Sequence, residues 1–234
     1  MQLLNTNITQ TLNEHYLVES FNLDNKTILE IGCGAAAMTQ KIAQTGTNRN
    51  IIACEIDEIQ HEKNLQLDID NITFKQSGAQ EIPCDDNSID MIFMFKSFHH
   101  IPKELMSQAL DEIKRVLKPN GLAYISEPLF MGEQNYLISL FHDEEVVRQD
   151  AFDAVKTCVD EGKMKLFKEI FFNSEISYSN FADFEKKQMN LTYNDDSIDN
   201  TLYNKIKEEY LKLANNDESS YFLKPFRVDI LQKV

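Results

Sequence analysis

Short apolar runs alternate along the chain with stretches in which apolar residues recur every three or four positions. The short runs are rich in β-branched and aromatic residues, a composition that favours buried strands. They predict strands over residues 27–31, 50–57, 71–76, 91–95 and 122–126. The amphipathic stretches between them predict helices, and the clearest of these cover residues 35–45 and 102–117.

The two ends of the chain show the same patterns less regularly. Leu12, Tyr16, Leu17 and Phe21 lie on one face of a helix that is predicted over residues 1–22. Beyond residue 130, an acidic helical segment covers residues 132–162, and strand-like residues follow around a bend at 167–172 and 176–178. A further helix is predicted over 196–214 and a last alternating strand over 226–231.

The first predicted strand ends in a glycine-rich turn, Gly32-Cys33-Gly34, which leads directly into a helix. Glycines let a ligand approach the backbone closely, and the free N–H groups at a helix start point towards it. Glu30 places a carboxyl group inside the apolar strand, two residues before Gly32. Because a negative charge there repels a phosphate, the turn suits a ligand with an ammonium or sulfonium group better.

A second acidic residue follows the next strand. Glu55 lies 21 residues after Gly34 and closes an apolar run. An acidic residue at this distance from a glycine turn can accept hydrogen bonds from both hydroxyls of a ribose. Asp57, by contrast, is interpreted as the N-cap of the helix that follows.

Composition narrows the classes of partner. The chain has 234 residues, of which 42% are hydrophobic and 26% charged, and its formal net charge is −15. A protein that holds a phosphate backbone usually carries a basic face, so we expect no nucleic acid partner. No apolar run approaches the ~20 residues of a membrane-spanning helix, and the start lacks the pattern of a signal peptide. We therefore expect no membrane partner and a cytoplasmic location.

The glycine turn belongs to a set of motifs. Glu30-Ile31-Gly32-Cys33-Gly34 is followed by Asp86-Asn87-Ser88-Ile89-Asp90 and by the run from Glu112 to Gly121. In these segments the chain resembles the class I S-adenosylmethionine-dependent methyltransferases over about residues 27–127. Within this family it is similar to the small-molecule enzymes of ubiquinone and menaquinone biosynthesis. The resemblance implies an α/β fold with a Rossmann-like, seven-stranded, mostly parallel sheet, helices on both faces and a helical cap inserted between strands 5 and 6.

The resemblance also implies a set of cofactor-binding residues for S-adenosylmethionine, whose product is S-adenosylhomocysteine. Those near the amino-acid end are Glu30, Gly32, Cys33, Gly34, Phe95 and Lys96; those at the ribose are Glu55 and Ile56; those at the adenine are Gly78, Ala79 and Gln80. Family members commonly carry an Asp where this chain has Gly78. The contact to the adenine amino group is therefore missing or supplied by Gln80.

Candidate residues for the methyl acceptor lie near the ends of strands 4 and 5, on the leading helix and on the cap. We predict His99, His100 and Tyr16 as catalytic candidates, and Glu127, Tyr136 and His142 as substrate-binding candidates. A His-His pair before a helix also serves in packing and capping, so the two roles stay open. The cysteines show no C-x-x-C pair, and we predict no metal; a site built from His99, His100 and Glu127 is the less favoured alternative.

The predicted protein is a single domain. Residues 1–22 form a helix over the site, 23–130 the cofactor-binding core, 131–165 the helical substrate cap, and 166–234 the strands and helix that complete the sheet. The predicted function is methyl transfer to a small-molecule acceptor, by a monomer or homodimer. A protein side chain or a carrier-bound acyl group is the alternative acceptor. The alternative functions are an NAD-dependent oxidoreductase, through the match to G-x-G-x-x-A, and a non-catalytic relative that binds S-adenosylmethionine.

Overall fold

A computed structural model describes residues 1–189, 198–214 and 219–234 of the chain. The strands of this part of the chain are β1 (Thr27–Ile31), β2 (Asn50–Glu55), β3 (Ile72–Gln76), β4 (Ile89–Phe95), β5 (Leu117–Pro128), β6 (Lys165–Tyr178) and β7 (Ser220–Gln232). They form a seven-stranded sheet in the order β3-β2-β1-β4-β5-β7-β6. β7 is antiparallel to both of its neighbours, and the remaining pairs are parallel. The predicted α/β fold with a mostly parallel sheet is confirmed.

Helices cover both faces of this sheet, as predicted. They are α1 (Glu14–Glu19), α2 (Ala37–Gln44), α3 (Glu58–Asn64), α4 (Lys103–Val116), α5 (Glu133–Ser139), α6 (Glu145–Asp160), α7 (Phe181–Phe184) and α8 (Asn200–Leu213). Side chains alternate along each strand, so that Leu29 of β1 packs with α4 and α6, and Ile28 packs with α1 and α2 on the opposite face. None of the helices described by the structure is both long and apolar enough to span a membrane.

The prediction of a helix over residues 1–22 is wrong for most of its length. Only α1 is helical, and Asn13 caps it by accepting a hydrogen bond from the backbone N–H of His15 at 3.0 Å. The residues before it run extended, and the backbone of Asn173 bonds to Gln10 and Leu12. This segment is rich in Asn and Thr, which have low helix propensity because their side chains compete for backbone hydrogen bonds and restrict the rotamers.

The predicted cap over residues 131–165 contains two different structures. α5 lies at the cavity, whereas α6 packs Ala151, Val155 and Cys158 into the core on one face of the sheet. An amphipathic pattern reveals that a helix has an apolar face but not which surface covers that face, and the prediction therefore assigned α6 to the wrong layer.

A separate apolar cluster lies outside the two faces of the sheet and forms what we call the cap lobe. It consists of α5, α7, the π-helical segment Glu185–Met189, α8 and the adjoining ends of β6 and β7. Most of this lobe is inserted between β6 and β7, not between β5 and β6. The predicted strands 167–172 and 176–178 are one strand, β6, and 226–231 lies within β7 as expected. The helix predicted over 196–214 begins at Asn200, with Asp199 as its N-cap; residues 190–197 lie outside the described residues.

Candidate active site

A cavity of about 750 Å³ opens at the carboxyl ends of β1, β2 and β4. Ligands of open α/β sheets bind at this edge. The cavity is lined by every residue predicted to contact the cofactor, namely Glu30, Gly32, Cys33, Gly34, Glu55, Ile56, Gly78, Ala79, Gln80, Phe95 and Lys96. The structure thus brings together residues that lie in four separate segments of the sequence.

The glycine turn is held in a conformation that favours glycine. Gly32 has φ of +70° and Gly34 has φ of +52°. A Cβ atom on Gly32 would lie 2.7 Å from Cβ of Ser97, and the Ser97 hydroxyl donates to the carbonyl of Ile31 at 2.9 Å. Position 32 therefore excludes a side chain both by its φ and by the close approach of Ser97.

Glu30 is buried under this turn, with 3% of its surface exposed. Its Oε2 accepts a hydrogen bond from the hydroxyl of Thr39 at 2.6 Å. Burial raises the pKa of Glu30 to about 8, and the nearby charges of Glu14 and Glu55 act in the same direction. Without a cationic ligand the carboxyl group is therefore mostly protonated at neutral pH.

Glu55, at the end of β2, is oriented by backbone donors. The N–H of Gly34 donates to its Oε2 at 2.7 Å, and the N–H of Asp57 donates to its Oε1 at 3.0 Å. Asp57 itself caps α3 by accepting from the N–H of Gln60 at 2.7 Å, as interpreted from the sequence. The Glu55 carboxylate is fixed at the cavity wall, beside the glycine turn.

The segment after β3 shows how the chain accommodates Gly78. A Cβ atom on Gly78 would lie 2.4 Å from Oε1 of Gln80. The side chain of Gln80 therefore occupies the space next to Gly78, where family members carry their Asp. Whether Gln80 replaces the missing carboxylate at the adenine stays a prediction.

The two predicted histidines differ in their surroundings at the other end of the cavity. Both line the cavity, and their rings lie with centroids 4.1 Å apart. His99 is buried, its Nδ1 is hydrogen-bonded to Glu127, and its Nε2 lies 3.3 Å from Oε1 of Glu144. Burial by itself lowers the pKa of His99, but the two carboxylates outweigh it and raise the pKa to about 9. His100 is exposed at the cavity wall. Partial loss of water around its ring, together with the charge of His99, lowers the pKa of His100.

Glu144, which was not predicted as a site residue, contacts several charged and polar side chains at this end of the cavity. Its Oε1 lies 3.1 Å from Nε2 of His142, and its Oε2 accepts from Arg148 at 2.5 Å. Arg148 is fixed in turn by Asn135, whose Oδ1 lies 2.7 Å away. Burial favours the protonated form of Glu144, yet His99 and Arg148 outweigh it and hold the pKa of Glu144 well below its usual range.

Three predicted residues lie elsewhere than expected. Tyr16 is 75% exposed and does not line the cavity, because the short helix α1 turns it outward. The hydroxyl of Tyr136 donates to Glu209 at 3.1 Å on the outside of the cap lobe. Glu127 is buried behind the cavity wall, where it accepts from the backbone N–H of Phe98 at 3.0 Å and supports His99. It supports a cavity residue and does not line the cavity itself.

Glu14 occupies the place that was predicted for Tyr16. It lines the cavity and accepts a hydrogen bond from the hydroxyl of Tyr124 at 3.1 Å. Burial raises the pKa of Glu14, and Glu127 adds to this effect. Lys224 of β7 also lines the cavity, and burial together with Lys96 and Arg148 lowers its pKa to about 8. No sequence motif marked these residues, since their partners lie far away along the chain.

The fold and the site define an α/β domain with a cavity at the carboxyl ends of its strands. A family model described as a methyltransferase domain matches residues 28–121. An uncharacterized methyltransferase of Schizosaccharomyces pombe is 33% identical over 114 residues, which cover 49% of this chain and 42% of that protein. A ubiquinone/menaquinone biosynthesis C-methyltransferase of Hahella chejuensis is 28% identical over 141 residues, covering 55% of each protein. The chain spans about half the length of these curated relatives.

A solved structure shows the same fold over nearly the whole chain. The YcgJ protein of Bacillus subtilis matches with a TM-score of 0.67 and 16% identity, covering 93% of this chain and 96% of that one. Residues 28–121 therefore match the methyltransferase-domain family, and this part of the chain is similar to class I S-adenosylmethionine-dependent methyltransferases, as the motifs indicated.

Proposed function

We propose that the chain transfers the methyl group of S-adenosylmethionine to a small-molecule acceptor by in-line displacement. The observation that carries this proposal is the pair of buried carboxyl groups, Glu30 and Glu55, on the two sides of the glycine turn in one cavity. Glu55 suits the two ribose hydroxyls, and Glu30 suits the positively charged methionine end. The backbone at Gly32 and Phe95 completes this end, and the segment Gly78–Gln80 receives the adenine.

The acidic surroundings of the turn weigh against the alternative cofactor, NAD. Glu30 is close enough to Glu14 and Glu55 for their charges to raise its pKa. A pyrophosphate placed over the turn would add negative charge beside these three carboxyl groups, and Lys96 would offset only part of it. The methionine end of S-adenosylmethionine carries an ammonium and a sulfonium, for which the same carboxyl groups are favourable partners.

The shape of the cavity supports a small acceptor. From the glycine turn it continues beneath α5, where Gln134, Asn135 and Ile138 line it, and reaches Gln188 of the cap lobe. A concave site of this kind reduces the access of water to the sulfonium and aligns a nucleophile with it. The net charge of −15 gives no support to nucleic acid as the acceptor. A protein side chain or a carrier-bound acyl group would have to reach into this cavity.

The catalytic roles predicted for His99 and His100 depend on the acceptor, because only a nucleophile that is protonated at neutral pH needs a base. Both nitrogens of His99 face carboxylates, so His99 is placed to hold its neighbours in position. His100 is exposed to the cavity and is placed to contact an acceptor.

Calorimetric titration with S-adenosylmethionine, S-adenosylhomocysteine and NAD tests the proposal. We expect saturable binding of the two sulfur ligands and none of NAD. Glu55→Ala should lose this binding, while the matched control Glu58→Ala, on the exposed start of α3, should retain it. Binding of NAD alone, or unchanged affinity in Glu55→Ala, would contradict the proposed cofactor site.

A further inference from the structure

Four side chains converge at the acceptor end of the cavity from segments that are distant in sequence. His99 and His100 form part of the 3₁₀ turn Phe98–His100, His142 follows α5, and Glu144 directly precedes α6. One ligand atom each from His99, His100 and Glu144 lies within 4.8 Å of the others. Nε2 of His99 and Nε2 of His142 both face Oε1 of Glu144, at 3.3 and 3.1 Å.

We propose that this cluster binds a divalent transition-metal ion of the Zn²⁺ type, with His99, His100 and Glu144 as ligands and His142 as a further nitrogen donor beside them. Two imidazoles and one carboxylate form a common ligand set for catalytic Zn²⁺ and for non-haem Fe²⁺. Nitrogens of His99 and His142 both point at one carboxylate oxygen of Glu144. An ion placed between these atoms could be coordinated by all of them. This assignment replaces the prediction of no metal and places Glu144, not Glu127, among the ligands.

The groups behind the cluster support the assignment. Metal-binding histidines usually present their other nitrogen to a carboxylate, and metal-binding carboxylates are themselves hydrogen-bonded. Nδ1 of His99 is bonded to Glu127, which leaves Nε2 directed at the cluster. Oε2 of Glu144 is bonded to Arg148, which leaves Oε1 directed at the same place. Glu127 and Arg148 thus orient the remaining nitrogen of His99 and the remaining oxygen of Glu144 towards the cluster.

The local charges also bear on whether a cation fits. Glu127 and Glu144 supply two carboxylates against the charge of a divalent ion. Arg148 is engaged with Glu144 and Asn135, and Lys224, a further cation that lines the cavity, has a pKa lowered to about 8. Lys224 opposes an ion by repulsion, and the two carboxylates offset this repulsion.

The position of the cluster suggests what the ion does. His99, His100, His142 and Glu144 line the cavity itself, so that a coordination position left open by the protein faces the space for the acceptor. An oxygen or nitrogen of the acceptor bound there is held in place for the sulfonium, and its pKa is lowered. This role rests on the proposed methyl transfer, whereas the metal site itself does not.

Titration of metal-free, untagged protein with Co²⁺ tests the site, since the visible absorption of Co²⁺ reports its coordination. We expect saturation at about one ion per chain and displacement by Zn²⁺. His100→Ala and Glu144→Gln should each weaken Co²⁺ binding by more than about tenfold. His61→Ala, which removes an imidazole of α3 outside the cluster, should bind as tightly as the wild type. His100 lies on the exposed wall of the cavity, so its substitution leaves the core packing intact.

Absence of saturable Co²⁺ absorption in the wild type would overturn the metal site. So would equal affinity in the wild type, His100→Ala and Glu144→Gln. Titration of the same preparation with S-adenosylhomocysteine separates the two proposals: S-adenosylhomocysteine binding without Co²⁺ binding overturns the metal site alone, and Co²⁺ binding without S-adenosylhomocysteine binding overturns the cofactor site alone.

Discussion

Replacement of Glu30 by Gln should stabilise the cofactor-free protein in a manner that depends on pH. The pKa of Glu30 rises from its usual value of 4.5 to about 8 on folding. Between these values the folded chain binds a proton that the unfolded chain has lost. The free energy of unfolding therefore falls by about 1.4 kcal/mol for each pH unit in this range. At pH 7 the deficit is about 3 kcal/mol, and Glu30→Gln removes it while keeping an acceptor for the Thr39 hydroxyl.

Urea denaturation of the wild type and the variant across this range measures the effect. We expect the two proteins to be about equally stable near pH 4.5, the variant to gain steadily up to about pH 8, and the difference to level off above it. Glu58→Gln, at an exposed position, serves as the control and should show no such trend. The groups that face Glu30 are Thr39, Glu14, Lys96 and Glu55, and all are retained in both proteins.

The same carboxyl group should couple cofactor binding to proton release. With a pKa of about 8, Glu30 is about 90% protonated at pH 7, and an ammonium bound beside it favours the ionised form. Calorimetry in two buffers of different ionisation enthalpy should then report release of up to about 0.9 proton by the wild type at pH 7 and less by Glu30→Gln. A stability difference that does not change with pH, or equal proton release by the two proteins, would refute the reasoning.

Three further substitutions test separate parts of the structure. Gly32→Ala should reduce the affinity for S-adenosylhomocysteine at least about tenfold, because the added Cβ meets Ser97. Gly162→Ala, with the same φ of +70° and open space around it, is the control. Equal losses of affinity in the two variants would contradict this reasoning. Gly78→Asp should fold, since only the end of the Gln80 side chain must move, and should bind S-adenosylhomocysteine more tightly in calorimetry; weaker binding would count against the adenine assignment. Phe222→Ala should lower the free energy of unfolding by about 3–5 kcal/mol in urea denaturation, because it removes a buried ring. The affinity for the cofactor should change little, since Phe222 belongs to the cap lobe. A loss of cofactor affinity would show that the lobe supports the glycine turn.

The part of the cavity that is lined by the predicted cofactor residues could be located from the sequence because its signals are local. Strand, turn and helix follow one another at Thr27–Ile31, the glycine turn and α2, and each segment is recognised by its own composition. The carboxylate of Glu55 stands at a fixed distance along the chain from the turn. Parallel strands then bring these separate signals to one edge of the sheet without further information.

The acceptor half was not predictable in the same way because its contacts join distant positions. Glu127 supports His99 across 28 residues, and Glu144 reaches His99 from the start of α6. Nothing in the sequence around Glu144 distinguishes it from the other acids of that segment. Likewise, the exposure of Tyr16 and the burial of Glu14 depend on where α1 begins, and this start is set by the extended pairing of residues before Asn13 with β6.

The position of β7 between β5 and β6 has a consequence for the synthesis of the chain. Among the described residues, β6 pairs in the sheet with β7 alone, and β5 pairs with β7 on the side opposite β4. While the ribosome is still translating the residues before Ser220, both strands present unpaired edges, and such edges invite pairing with other chains. β7 is translated after both of its neighbours and closes the sheet between them, so a nascent chain that stalls before it should be a target for chaperones and proteases.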